Sequence, residues 1–153
     1  MENFLKQFSF YCSLLKILSM NNIAGVLGVY NCQGVAWSNT ERKNAFHQTT
    51  TEALTNTIRD CDVHLTAEAA TDPNWDGNCV FYCHRTGELI TLPYNAALPV
   101  SLKFLEHDIF TVTHIKVLAT GFSFAPQGLT NMFNASGAIE GLKYKMKGGA
   151  ELS

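Results

Sequence analysis

Five residues in the middle of the chain are of the types that bind zinc, which proteins hold with thiolate and imidazole ligands at characteristic spacings. They are Cys61, His64, Cys79, Cys83 and His84. Their spacings match no zinc knuckle. On an extended strand, Cys79 and Cys83 point to one face while His84 points to the other, so neighbouring ligands diverge. We therefore interpret the thiols as core residues and His84 as a hairpin residue, and we expect no metal site.

Carboxyl groups occur in close pairs, as a glycosidase would need. The pairs are Asp60/Asp62, Asp72/Asp76 and Glu106/Asp108. A glycosidase holds two carboxyls about 5–9.5 Å apart across a cleft the size of a sugar. Two acids that are two residues apart on a strand edge meet that distance without forming a cleft. We therefore interpret these acids as residues of turns and solvated edges.

Four aromatic residues have side chains that stack on sugar rings in binding clefts: Trp37, Trp75, Tyr82 and Tyr94. The favoured interpretation is core packing or loop anchoring, since large aromatic side chains dominate cores. No serine or cysteine lies in a nucleophile elbow, or beside a histidine in an arrangement that the sequence alone identifies. The sequence therefore predicts no catalytic residue.

The elements that must position these side chains are β-strands. Alternation of apolar and polar residues is clearest at 98–104 and 109–113, where Phe110 and Val112 share one face and Thr111 and Thr113 the other. Gly87 lies where a tight connection needs a positive φ. Polar connections are predicted at 38–56 and 66–77. Strands are predicted at 14–20, 25–34, 57–65, 78–84, 88–92, 98–104, 109–113, 129–133 and 138–146.

The whole pattern predicts an all-β protein, an antiparallel β-sandwich, because no stretch has a sustained helical period or an internal repeat. The glycines of 25–34 are not followed by the Gly-Lys-Ser/Thr of a phosphate loop, so they are interpreted as places where backbones pass closely. A length of 153 residues suits one domain.

Composition narrows the possible partners and the compartment. The chain is 46% hydrophobic and 16% charged, which argues against disorder. A net charge of −2 gives no reason to expect nucleic acid or an anionic membrane as a partner. Five cysteines, several of them in apolar runs, favour a reducing compartment, and we expect a cytoplasmic protein. Residues 1–13 lack the features of a signal peptide and are interpreted as a poorly ordered leader.

An ordered series of short motifs resembles the C-terminal region of the plant raffinose synthases and related seed-imbibition (alkaline α-galactosidase-like) proteins. It begins with Gly28-Val-Tyr-Asn-Cys-Gln-Gly34 and Trp37 and covers about Leu14 to Met146. The remaining motifs are Trp75, Gly77, Cys79-Val80 with Tyr82, His84-Arg85, Gly87-Glu88-Leu89, Leu92-Pro93, Phe110-Thr-Val112, Phe124-Ala-Pro126, Gly128-Leu129 and Asn131-Met-Phe-Asn134.

The resemblance implies a family of retaining galactosyltransferases that moves galactose from galactinol to sucrose, making raffinose and myo-inositol. In that family two aspartates act within a (β/α)₈ barrel, which alone takes about 250 residues and precedes the region matched here. The resemblance therefore carries no catalytic, cofactor-binding or metal-binding residue to this chain. It implies that residues 14–153 are an incomplete C-terminal β-sandwich whose partner is the catalytic barrel, with galactinol, sucrose or raffinose bound through the parent protein.

Three hypotheses follow. The first is a C-terminal fragment of a raffinose-synthase-like galactosyltransferase, inactive alone, whose sandwich packs on the barrel. The second is a free-standing carbohydrate-binding module that uses Trp37, Trp75 and Tyr82. The third is a gene product with no stable fold. The sequence leaves open whether the parent makes raffinose, makes stachyose or hydrolyses α-galactosides.

Overall fold

The computed structural model describes residues 14–21, 23–46, 52–63, 75–118, 121–129, 132–133, 135–139, 144–147 and 149–152. Within them it contains strands and two short 3₁₀ turns, at Asp60–Asp62 and Ala135–Ala138. The strands are β1 (Leu15–Met20), β2 (Ala24–Tyr30), β3 (Val35–Ser38), β4 (Lys43–Phe46), β5 (Leu54–Ile58), β6 (Cys79–Cys83), β7 (Leu89–Leu92), β8 (Leu98–Leu102), β9 (His107–His114), β10 (Lys116–Val117), β11 (Ser123–Phe124), β12 (Tyr144–Lys147) and β13 (Gly149–Leu152).

Five of the strands form one antiparallel sheet in the order β1-β2-β9-β6-β7. β9 lies at its centre and pairs with β2 on one side and β6 on the other, so that Phe110 is opposite both Leu27 and Cys83. Side chains of paired residues point to the same face of a sheet. Leu27, Cys83 and Phe110 therefore lie on one face, which we call the inner face.

The hydrophobic core lies between this inner face and the antiparallel pair β5–β8. Ile58, Val100 and Leu102 of that pair are buried in the same cluster as Phe81 and Phe110 of the sheet, whose rings meet edge to face with centroids 6.4 Å apart. Two antiparallel layers with a shared apolar interior make a sandwich-like arrangement. The all-β, antiparallel fold predicted from the sequence is confirmed.

Polar contacts tie the two layers together at one edge. The Lys16 ammonium of β1 lies 2.6 Å from the Asp62 carboxylate, just after β5. The buried Asn31 side chain donates to the Leu102 carbonyl oxygen at 2.9 Å. Each bond joins an element of the five-stranded sheet to an element of the second layer, so it fixes their relative position.

The opposite face of the sheet, its outer face, is partly covered by residues 123–129, 132–133 and 135–139, which we call the covering segment. Gln127 donates from Nε2 to Thr113 Oγ1, and Phe133 lies with its ring centroid 4.9 Å from that of His84. Ser136 accepts a hydrogen bond from Asn21 Nδ2 at 3.0 Å. Thr111 and Thr113 are buried although they point away from the core, because His84 contacts Thr111 and Gln127 contacts Thr113.

Most of the predicted strands are present, with three corrections. The polar stretch 38–56 is not a single connection, because it contains β4 and the start of β5. The strand predicted at 57–65 ends at Ile58 and is followed by the 3₁₀ turn, while residues 64–65 lie outside the described ranges. The described part of 129–133 has no strand, and Ala138 belongs to the second 3₁₀ turn; β12 occupies the later part of 138–146.

The predicted connection at 66–77 falls mostly outside the described residues, as does the leader at 1–13. Among the residues whose structure is described, no helix has the length and apolar character needed to cross a membrane.

Candidate functional site

The clearest candidate site is a cavity of about 300 Å³ on the outer face, where the β6–β7 turn approaches the start of β9. The turn itself follows from local sequence. Gly87 has a φ of +75° and donates its N–H to the Cys83 carbonyl oxygen at 2.8 Å, as predicted for this tight connection. This geometry places the turn beside β9. The cavity is lined by His84, Arg85, His107, Asp108, Ile109 and Phe133.

Arg85 is held in this cavity by a buried carboxylate. Its Nε donates to Asp108 Oδ2 at 3.1 Å, and its Nη1 lies 3.9 Å from the Glu106 carboxylate. The Asp108 side chain is 2% exposed, whereas that of Arg85 is 47% exposed. Asp108 also accepts hydrogen bonds from the Ile109 N–H and from the Cys83 thiol. The guanidinium is thus fixed at one edge and open to solvent at the other.

His84 is the second polar group of the cavity. Its Nε2 lies 2.8 Å from Thr111 Oγ1, and its ring packs edge-on against Tyr82. Burial lowers the pKa of His84 below its usual 6.5, while the nearby Asp108 carboxylate acts in the opposite direction. The imidazole is therefore uncharged at neutral pH.

The cysteine and histidine residues weighed above as zinc ligands do not converge in the described part of the chain. Cys79 and Cys83 are buried in the core, whereas His84 lies on the outer face, as strand geometry predicted. Burial, with smaller contributions from Asp60 and Asp76, raises the pKa of Cys79 to about 12. A neutral thiol is a poor ligand. Cys61 is exposed, His64 lies outside the described residues, and no group of three metal-binding side chains occurs within those ranges.

The interpretation of the acid pairs as solvated residues is wrong for two of their members. Asp60 is 8% exposed and Asp108 is 3% exposed. The burial of Asp108 was missed because its cationic partner, Arg85, is 23 residues away in the sequence, in the β6–β7 turn. Among the described residues these acids do not form a cleft, because Asp108 lines the cavity beside Arg85 whereas Asp62 is engaged by Lys16. Asp72 lies outside the described residues.

The four aromatic residues do not assemble into one surface. Trp75 packs against the core and donates from Nε1 to the Asn78 carbonyl oxygen at 2.9 Å, so it anchors a loop, as favoured from the sequence. Tyr82 lies on the outer face against His84. Trp37 is exposed on the β3–β4 hairpin, and Tyr94 is exposed after β7.

Sequence reasoning missed Arg85, His107, Ile109 and Phe133 as lining residues. Their proximity depends on the register that sets His84 beside Ile109, and on the return of the covering segment across the sheet. Cys32 falls within the strand predicted at 25–34, but it lies beyond the end of β2 and is exposed.

A second feature of the outer face is an uncovered apolar area on the β1–β2 side, which we call the open face. Leu15 is 48% exposed and Ile17 is 54% exposed. A shallow depression of about 140 Å³ lies beside Ile17 and extends across the sheet to Val26, Tyr30 and Ile109. Adjacent exposed apolar side chains of this kind mark surfaces that contact another part of a protein.

Comparison with known sequences identifies the relatives of this chain. The model of the family described as raffinose synthase or seed imbibition protein Sip1 matches residues 5–152. This match is longer than the resemblance at 14–146 and includes most of the leader. It covers nearly all of the chain.

Individual relatives match only a short part of their own length. The probable galactinol–sucrose galactosyltransferase 6 of Arabidopsis thaliana is 63% identical over 134 residues, which are 87% of this chain and 18% of the relative. The galactinol–sucrose galactosyltransferase of Pisum sativum is 33% identical over 86% of this chain and 17% of its own length. The stachyose synthase of Pisum sativum is 26% identical over 91% and 17%.

Proposed function

Because the chain belongs to the raffinose synthase and seed imbibition protein family, we propose that it is the non-catalytic C-terminal β-domain of a galactosyltransferase of this family. The parent protein would transfer galactose from galactinol to sucrose, giving raffinose and myo-inositol. The observation that carries the proposal is the family match over residues 5–152, combined with a span of about one fifth of each relative.

The geometry of the acids supports a non-catalytic role. Retaining glycosyl transfer needs one carboxyl as nucleophile and a second as acid/base, about 5–5.5 Å apart and both facing the sugar. Asp108, in the cavity beside Arg85, has both oxygens in hydrogen bonds within the protein. A carboxylate held in this way is a poor nucleophile, and the nearest other described carboxylate, Glu106, lies 3.9 Å from Arg85 Nη1.

The role that we propose for the domain is to support the catalytic part of the parent. Most of each relative lies outside the matched region, and two domains are held rigidly together when their interface is large and hydrophobic. The open face supplies such area through Leu15, Ile17 and Val26, on a sheet whose inner face is already filled by the core. We therefore place the contact with the remainder of the parent on the open face.

An activity assay tests the proposal. The purified chain, given galactinol and sucrose, is expected to form no raffinose above the rate without protein. The galactinol–sucrose galactosyltransferase of Pisum sativum serves as the positive control under the same conditions. Raffinose formation that increases with the concentration of this chain would overturn the proposal.

A chimaera tests the open face. This chain replaces the matching region of the Arabidopsis relative, and Ile17→Lys is compared with Val117→Lys, an equally exposed residue on β10. Ile17→Lys is expected to lower the thermal stability of the chimaera and its yield of raffinose, because it places a charge in an apolar contact. Equal effects of the two substitutions would exclude the open face as the contact.

A further inference from the structure

We propose that the cavity beside Arg85 is a binding site for a single uncharged sugar ring. The inference goes beyond the proposed supporting role, because it depends only on the geometry of this cavity. It concerns the cavity bounded by His84, Arg85, Asp108, Ile109 and Phe133.

Hydrogen-bond donors in the cavity are fixed and available. A guanidinium has five N–H donors in a rigid planar fork. Arg85 donates from Nε to Asp108, and Asp108 in turn accepts a hydrogen bond from the Ile109 N–H at 2.9 Å. The remaining N–H groups of this half-exposed side chain are oriented before a ligand arrives, so their use costs little conformational entropy. Vicinal hydroxyl groups are acceptors that match a fork of this kind.

The charge balance favours a neutral ligand over an anion. Arg85 is paired with Asp108 at 3.1 Å, and Glu106 lies 3.9 Å away. His84 adds no positive charge at neutral pH, because its pKa is lowered. A phosphate or carboxylate ligand would meet two carboxylates and one guanidinium. A polyhydroxylated ligand has no charge to be repelled by these carboxylates, and its hydroxyl groups can both accept from the guanidinium and donate to a carboxylate.

The remaining walls are apolar and aromatic. Phe133 is 63% exposed, and its ring centroid is 4.9 Å from that of His84. Ile109 contributes an aliphatic wall. One face of a pyranose carries mainly C–H groups, which pack on an aromatic ring, while its edge carries hydroxyl groups. The cavity presents both kinds of surface, since Phe133 and Arg85 line the same space.

The size of the cavity limits the ligand to one ring. Small-molecule sites span about 300–1,000 Å³, and this cavity has about 300 Å³. It lies at the lower end of that range, which suits a monosaccharide unit, or the terminal unit of an oligosaccharide whose remainder stays in solvent.

Nuclear magnetic resonance titration of the whole chain tests the proposal, with methyl α-galactoside and methyl α-glucoside as probes. We expect saturable shifts of the Arg85, His107 and Ile109 amides, with a dissociation constant in the millimolar range. Phe133→Ala should weaken binding by about two- to tenfold, the effect of losing one aromatic stack. Phe122→Ala, equally exposed but outside the cavity, is the matched control and should leave the affinity unchanged.

Arg85→Lys provides a second variant, because it keeps the charge beside Asp108 and loses the fork. It should also weaken binding, while an unchanged backbone spectrum shows that the fold is retained. The proposal is overturned if neither glycoside produces saturable shifts, if Phe133→Ala and Phe122→Ala bind equally well, or if inorganic phosphate binds at these residues more tightly than the glycosides. None of these outcomes depends on raffinose formation, so they are separate from the test of the proposed function.

Discussion

Loss of Arg85 and loss of Asp108 should have unequal effects on stability, because the Arg85 side chain is half-exposed and the Asp108 side chain is buried. Without Asp108, the guanidinium still has water as a partner. Without Arg85, the carboxylate stays enclosed beside the Cys83 thiol, and no other cation in the described ranges forms an ion pair with it. Removing the partner of a buried charge costs about 3–5 kcal/mol, whereas the loss of one hydrogen bond to a charged group costs about 1.5–3 kcal/mol.

We therefore expect Arg85→Ala to destabilise the protein more than Asp108→Asn does. The asparagine keeps the shape and one acceptor oxygen, and it removes the buried charge. Urea denaturation at pH 7, followed by tryptophan fluorescence, gives both free energies of unfolding. Equal losses, or a larger loss for Asp108→Asn, would contradict the assigned burial of this pair.

The titration of His84 gives a second prediction at the residue scale. Its pKa in the folded protein lies below the usual 6.5, so the unfolded chain takes up this proton first as the pH falls. His84 therefore lowers the free energy of unfolding progressively between pH 6.5 and its folded pKa, and the effect is constant below that value.

Proton resonances of the histidine rings report the midpoint directly. We expect His84 to titrate below pH 6.5, and we expect Asp108→Asn to lower the midpoint further, because it removes a charge that favours the imidazolium. A midpoint at or above 6.5 in the unsubstituted protein would show that His84 is not buried against Phe133 and Tyr82.

At the scale of elements, β2 passes so close to the first 3₁₀ turn that Gly25 has no room for a side chain. A methyl group there would overlap Val63 Cγ1 and Met20 Sδ. Val63 is fully buried, so it cannot move away cheaply. The sequence predicted that backbones pass closely at the glycines of 25–34, but the atoms closest to Gly25 belong to the side chains of Val63 and Met20.

Gly25→Ala should therefore lower the free energy of unfolding by about 1–3 kcal/mol through overpacking. Val63→Ala should lower it too, because it leaves a cavity. In the double variant the new methyl group occupies part of that cavity, so the loss should be smaller than the sum of the two single losses by more than about 0.5 kcal/mol. Additive losses, measured by urea denaturation, would show that the two residues are not in contact.

Strand periodicity predicted β8 and β9 well, because apolar side chains alternate there with polar ones. In β8, Val100 and Leu102 face the core while Pro99 and Ser101 are exposed. The strand at β5 was predicted to begin at residue 57, although β5 begins at Leu54. Its alternation involves threonine and asparagine, and only Ile58 is fully buried. β9 hides its outward threonines under the covering segment, a tertiary contact that no local pattern encodes.

The candidate cavity was not predictable for the same reason. Arg85 lies in the β6–β7 turn and Asp108 in β9, and the two residues meet through the register of β6 and β9. Phe133 reaches His84 from the covering segment. The sequence contains all the side chains of the site, but their distances are set by which strands become neighbours.

For the whole molecule, the four described cysteines report whether the sandwich unfolds as one unit. Cys32 and Cys61 are exposed, whereas Cys79 and Cys83 are buried in the shared core. Alkylation with iodoacetamide, mapped by peptide mass spectrometry, should label the first pair rapidly. Because burial and a raised pKa protect Cys79, its labelling should occur only through unfolding.

Labelling of Cys79 and Cys83 should increase together across the urea transition seen by fluorescence, as expected for a single cooperative domain. Rapid labelling of all four thiols without urea would support the third hypothesis, a chain with no stable fold. Separate transitions for Cys79 and Cys83 would show that the core is not shared between the two layers.

The central position of β9 has a consequence for synthesis on the ribosome. The other four strands of the sheet all precede β9 along the chain. At roughly 5–20 residues per second, β2 emerges several seconds before the strand that completes it. During that interval two hairpins expose unpaired strand edges, to which another polypeptide can add. A lower growth temperature, or a chaperone that binds unfolded chains, should therefore increase the soluble yield of this protein. The increase should be larger than that from substitutions on the surface of the folded protein.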